Sequence, residues 1–281
     1  SGSSSCRFFF SRPLCYTLSS RMKGKTRNFA ELYGYKNLLG EFLVRDLKLK
    51  YQGSALGFLW SLFNPLLMVL VYTIAFKLVI RIKVDNFAFF LLSALLPWTF
   101  IASSLSAALS SVVDNGGLVK KIYFPREILP LSTVLFQLVQ LLLSYLVLLP
   151  FLLALGSLGV SLLLLPPLLF LLTLFVLGLS LALAGLYVHF RDLKHLLEVG
   201  LQVWFWLTPI IYPFALVPDR FKPFFYFNPA LFYLEGCRGI LLNNRAPGVR
   251  EWGVMVFWAL LSFLLGWRIF ADKSRRFAEE V

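Results

Sequence analysis

The chain has 281 residues, 59% of them hydrophobic, including 29 Phe and 7 Trp, and a formal net charge of +13. So apolar a composition excludes an ordinary soluble domain, because a globule of this length has no interior large enough to hide it. The basic residues fall in short clusters between apolar runs, a distribution that points to membrane topology and away from nucleic acid.

Residues 1–28, SGSSSCRFFFSRPLCYTLSSRMKGKTRN, are rich in Ser and Arg, lack acids and contain no long apolar stretch. They resemble a transit peptide in composition but lack the apolar core of a secretory signal. Met22 offers a simpler account, a native start with 1–21 upstream of it, so 1–28 is set aside as a disordered or leader-like extension. Next, 29–54 reads as an interfacial segment. Leu32, Tyr35, Leu39 and Phe42 recur at spacings of three and four, with Lys36, Glu41, Arg45 and Lys48 among them. An apolar stripe with a basic polar face is the pattern of a helix lying on the membrane surface.

Six apolar runs follow, near 56–80, 87–111, 128–155, 161–188, 196–213 and 252–270. Several exceed the roughly 18 residues that mark a membrane-spanning helix. The expected fold is therefore an all-α integral membrane protein, with one six-span domain over 55–271 and a cytoplasmic tail at 272–281. Pro65, Pro97, Pro150, Pro166, Pro167 and Pro209 inside these runs predict kinks or breaks, which a bundle tolerates when neighbours satisfy the freed carbonyls. Segment 214–251 is not an ordinary polar loop. Its stretch FKPFFYFNPALFYLEGCRGILL is nearly as apolar as the spans, yet Pro223, Pro229, Gly236 and Gly239 interrupt it. Half-helices re-entering from the outer face fit it better than a full span.

Lysine and arginine set the orientation. With both termini inside, the cytoplasmic segments from residue 22 onward carry sixteen basic residues against eight outside, as the positive-inside rule requires.

Several chemistries are excluded. The span cores carry no Asp or Glu, with Glu198 and Glu251 at the rims, so ion-coupled transport lacks its usual intramembrane site. No G-x-x-x-x-G-K-[ST] loop is present to cradle ATP phosphates. There is no H-E-x-x-H, and the two histidines, His189 and His195, share one turn, which argues against a membrane metalloprotease. Cys6, Cys15 and Cys237 have no metal-binding spacing, and no metal site is expected. A membrane transferase would have only Asp192 with His189 and His195 as its cluster.

Two charged inner turns remain. Charges flanking spans ordinarily anchor helix ends. In VVDNGGLVKKIYFPREILPLS (112–132), however, Tyr123, Phe124 and Pro125 put an aromatic pair beside a rigid residue in a water-facing loop. An apolar cluster rimmed by charge marks a docking surface.

KIYFPREILPLS strongly resembles the first cytoplasmic loop of the membrane subunits of ABC type-2 polysaccharide exporters, the permeases for O-antigen, capsule and teichoic-acid chains. RDLKLKYQGSALGFLWSLFNPLL (45–67), HFRDLKHLLEVGLQVWFWLTPIIYP (189–213) and FNP (227–229) match in the same order, and the resemblance extends over roughly residues 30–270. It implies a homodimeric permease in the bacterial inner membrane, paired with two copies of an ATP-binding subunit that hold ATP and Mg, with no cofactor in this chain. It implies that Lys120, Lys121, Tyr123, Phe124, Pro125, Arg126 and Glu127 couple the spans to the ATPase, with Arg191, Asp192 and Lys194 a secondary turn. It also makes 31–52 a gate helix, carrying Leu39, Phe42, Arg45 and Lys48. The expected substrate is a lipid-linked polysaccharide. Aromatic faces stack on sugar rings without fixing one hydrogen-bond pattern, so Trp98, Phe100, Trp204, Phe205, Trp206, Phe225, Tyr226 and Tyr233 are candidates for its passage. The alternatives are the same architecture moving a lipid or drug, and the multi-span transferase.

Overall fold

The computed structural model describes residues 34–52, 86–121 and 124–274, with scattered positions between 63 and 75. The extension 1–28, nearly all of the 56–80 run, Tyr123 and the tail beyond Ser274 lie outside the described residues. Residues 1–37 and 38–281 form two compact units. Of the first, only 34–37 are described, and they include the start of a helix.

The described residues are mainly helical and contain no strand. Helix α1 is Lys36–Tyr51. The long helices α2 (Phe87–Asp114) and α4 (Ile128–Ala154) flank the short α3 (Gly116–Lys121). After a 3-10 turn at Val160–Leu164 come α5 (Leu165–Tyr187) and α6 (Leu193–Trp206). Segment 214–248 contains a 3-10 turn at Phe214–Leu216, α7 (Lys222–Phe225) and α8 (Pro229–Leu242), and α9 (Val249–Ser274) follows.

Among the described residues, four helical stretches are long and apolar enough to cross a membrane: Phe87–Asp114, Ile128–Ala154, Val160–Tyr187 and Val249–Ser274. At 1.5 Å per residue each is about 40 Å long, beyond the ~30 Å hydrocarbon core. They coincide with four of the six expected runs. The run at 196–213 differs, because its helix stops at Trp206 after 14 residues. Pro209 and Pro213 supply no N–H, and the backbone around Pro213 is extended. Prolines elsewhere act differently. Helices α2 and α4 continue through Pro97 and Pro150, whereas Pro166 and Pro167 sit in the first turn of α5, where no N–H is needed.

The core lies where α2, α4, α5 and α8 meet, around Leu91, Ile101, Leu168, Phe175, Tyr233 and Ile240. Helices α5 and α9 run in backbone contact. A Cβ added at Gly266 would overlap the Gly178 backbone, and Ser262 Oγ donates to the Phe175 carbonyl at 3.0 Å. Without a side chain at the crossing, two helices approach closely, the usual solution where lipid supplies no hydrophobic drive. Asn244 Oδ1 accepts from the Ser161 N–H (3.1 Å) and hydroxyl (2.6 Å), clasping the turn before α5 to the end of α8. Asn244 has φ of 46°, a left-handed conformation that asparagine tolerates better than most residues.

Candidate functional site

Contacts, independent of charge counting, bring α1, the 115–127 turn and the end of α9 to the same end of the bundle. Arg45 Nη1 donates to Asn115 Oδ1 at 3.2 Å. Phe42 is 5% exposed and its ring lies 6.4 Å from that of Phe124. Arg126 Nη1 donates to the Ser274 carbonyl. The turn is built by α2 ending at Asp114 and Asn115 starting a new short helix, with its Oδ1 and backbone carbonyl both engaged. Lys120 and Lys121 stand exposed on α3.

The other residues expected on this docking turn divide. Phe124 (4% exposed) and Glu127 (3% exposed) are buried, while Pro125 and Arg126 are half-buried. The aromatic expected to face water thus packs against α1, because the amphipathic α1 needs an apolar counterpart for Phe42. Along α1, Leu39 is half-buried and Lys48 exposed. Arg45 also pairs with Asp46 at 2.9 Å and lies 4.7 Å from the Phe42 ring. Arg191, Asp192 and Lys194 are all exposed at the start of α6. Asp192 and His195 are exposed, and His195 Nδ1 lies 3.8 Å from Glu198 Oε2 on the same exposed face of α6.

A cavity of about 600 Å³ opens among α1, α2, α4 and α6. Its aromatic wall is Trp98, Phe100, Phe205 and Trp206, four of the eight sequence candidates, and its polar wall is Thr99, Ser103, Gln137, Gln140, Ser144 and Gln202. Trp98 makes an edge contact with Trp204 (5.5 Å) and a tilted one with Phe205 (5.8 Å). Lys50 reaches the cavity from the end of α1, 5.4 Å from the Phe136 ring, and partial burial lowers its pKa. The amides escaped the sequence reading, yet a signal was present: Gln137, Gln140 and Ser144 follow a spacing of three and four on one face of α4.

The remaining aromatics have other places. Trp204 donates its Nε1–H to Asn228 Oδ1 at 2.8 Å, and Asn228 also caps α8 through the Ala230 N–H and donates to Thr208 Oγ1. The FNP motif therefore ties α8 to the end of α6. Tyr233 is fully buried, stacks on Phe175 at 5.4 Å and donates to the Met255 carbonyl at 2.6 Å, which places it in the core. Phe225 and Tyr226 cluster with Phe214 before α8.

Arg238 is a further residue that the sequence did not single out. It is 3% exposed, donates to the carbonyls of Pro209 (3.2 Å) and Ile210 (2.8 Å), pairs with Glu235 and lies 3.8 Å from the Phe90 ring. The break after α6 leaves carbonyls without helical partners, and a buried guanidinium satisfies them. Among the described residues no group of three or more potential metal ligands occurs.

Comparison with known proteins agrees with this architecture. Residues 38–242 match the ABC-2 type transporter family. An O-antigen export system permease protein of Myxococcus xanthus is 34% identical over 257 residues, covering 89% of this chain and 98% of that protein. Two of the same description from Klebsiella pneumoniae are 32% and 33% identical, each covering 86% of this chain and 94% of the relative. With the match running from within α1 to the end of α8, through the 115–127 turn, the cavity residues and segment 207–228 alike, this chain belongs to the ABC-2 type transporter family.

Proposed function

We propose that this chain is the permease subunit of an ATP-driven exporter that moves a lipid-linked polysaccharide, O-antigen-like, capsular or teichoic, across the bacterial inner membrane. The cavity carries this reading. Flat aromatic faces suit the C–H faces of sugar rings, and amides and hydroxyls both donate and accept with sugar hydroxyls without demanding one pattern. A passage for an apolar lipid or drug would have little use for three glutamines. The O-antigen export of the relatives supports the same class of cargo.

In this reading the chain has six spans. The first is at 56–80, and α6 with Leu207–Pro213 forms the fifth. The outer segment re-enters the membrane, and both termini lie in the cytoplasm. The 29–54 segment gates the entrance, 55–271 is one transmembrane domain and 272–281 a tail. Two copies form the passage, and two separate ATP-binding subunits hold ATP and Mg and dock on Lys120 and Lys121.

Two tests follow. Trp206→Ala and the near-isosteric Gln140→Leu are expected to lower surface polysaccharide several-fold in cells supplied with the ATP-binding partner, while assembly with that partner is retained. Normal export by either folded variant removes that residue from the cargo path. Replacing Lys120 and Lys121 together with Glu is expected to weaken partner binding roughly tenfold or more, through like-charge or lost-charge contacts at a rim. Pull-down at graded salt measures this, and unchanged affinity rejects the docking role.

A further inference from the structure

The 115–127 turn is fastened into the bundle at two points, and the second has a consequence for how movement enters the spans. One point is the packing of Phe124 on Phe42, with Arg45 bonded to Asn115. The other is the hydrogen bond from the Arg126 guanidinium to the carbonyl of Ser274, in the last turn of α9. A guanidinium donating to a backbone carbonyl makes a charge-assisted hydrogen bond, roughly twice as strong as a neutral one. Ser274 is itself buried.

Helix α9 in turn is joined to α5. The Gly178 and Gly266 backbones touch, Ser262 bonds the Phe175 carbonyl, and a Cβ on Gly185 would meet Phe270 Cα at 3.2 Å. Helices in backbone contact over three turns resist sliding separately, because packed interiors do not deform continuously. Helix α5 ends at Tyr187, just before the second inner turn with Arg191, Asp192 and Lys194.

We propose that Arg126 is a positioning residue that fastens the inner turn to the end of α9, so that displacement of the turn is carried into the α9–α5 pair and on to the second inner turn. Arg126 therefore serves the coupling without being a contact for the ATP-binding subunit. This role rests on the reading of the turn as that subunit's dock, but the fastening itself does not.

The test uses the full chain and its complex. Spin labels at Gly117→Cys and Asp272→Cys, both exposed positions, report the distance between the turn and the end of α9. In the chain alone, a narrow distance distribution is expected with Arg126, a broadened one with Arg126→Gln, and partial restoration with Arg126→Lys, which keeps a cation. In the reconstituted complex, Arg126→Gln is expected to cut polysaccharide moved per ATP hydrolysed by roughly three- to thirtyfold, the range for residues that carry coupling between sites. Its affinity for the ATP-binding subunit should stay within about twofold of the parent, a rim residue's loss being larger. An unchanged distance distribution in folded Arg126→Gln overturns the fastening. A loss of partner affinity matching that of the Lys120→Glu and Lys121→Glu variant overturns it too, by making Arg126 a docking residue. Unchanged affinity in the lysine variant, with a broadened distribution in Arg126→Gln, supports the fastening and removes the dock instead.

Discussion

Replacing Arg238 with Met is expected to cost about 3 kcal/mol of stability, near the lower end for removing one partner of a buried ion pair, because Glu235 keeps about a third of its side-chain surface exposed. Two losses combine. Glu235 loses its ion-pair partner, and the carbonyls of Pro209 and Ile210 lose their donor at a place where no helical N–H can replace it. The stacking on Phe90 is lost as well. The measurement is thermal unfolding in detergent, followed by size-exclusion fluorescence. A second change, Glu235→Gln, should return part of the lost stability, since it removes the carboxylate that lost its partner but not the unbonded carbonyls. Full stability in the single variant would mean that water replaces the guanidinium there. A full rescue by Glu235→Gln would mean that the carbonyl bonds contribute nothing.

Comparable damage is expected at the α5–α9 crossing. Gly266→Leu places a side chain where the Gly178 backbone now lies, and Gly178→Leu meets Ser262 and Phe263 backbone atoms. Neither obstruction is the movable end of a side chain, so the helices must separate. Overpacking typically costs about 1–3 kcal/mol and more where backbone has to shift. Both variants should show sharply reduced yields of folded protein. Gly253→Ala provides the contrast. It lies in the same helix α9 with nothing within 4 Å of the added Cβ, and should be neutral or gain up to about 1 kcal/mol from helix propensity. Similar yields for Gly266→Leu and Gly253→Ala would remove the close crossing from the account of stability.

Much of this was legible in one dimension. The runs 87–111, 128–155, 161–188 and 252–270 appear as long helices within a few residues of their expected limits, because the membrane-spanning signal is a sum of transfer energies and needs no partner. The apolar stripe of 29–54 anticipated α1, and the motif set carried the family. In the run at 196–213 the helix extends only to Trp206, and the break anticipated at Pro209 follows it.

The site was less legible, for a physical reason that recurs at each residue. Phe124 reads as an exposed aromatic in a charged loop, but Phe42, 82 positions earlier, covers it. Tyr233 reads as a possible stacking face, but Phe175 and the Met255 carbonyl occupy both its ring and its hydroxyl. Arg238 reads as one more outer-side basic residue, when its role depends on carbonyls 28 and 29 positions away.

By itself, then, the sequence determined the membrane class, the places of four long spans, the amphipathic α1 and the family, since each follows from composition, periodicity or a local motif. Only the tertiary structure decided which aromatics share a cavity with Gln137, Gln140 and Gln202, that Arg126 holds the end of α9 from 148 residues away, and that Arg238 closes the break after α6. Those are matters of partnership between distant segments. Hydropathy records whether a side chain prefers to leave water, and folding alone supplies the group it meets there.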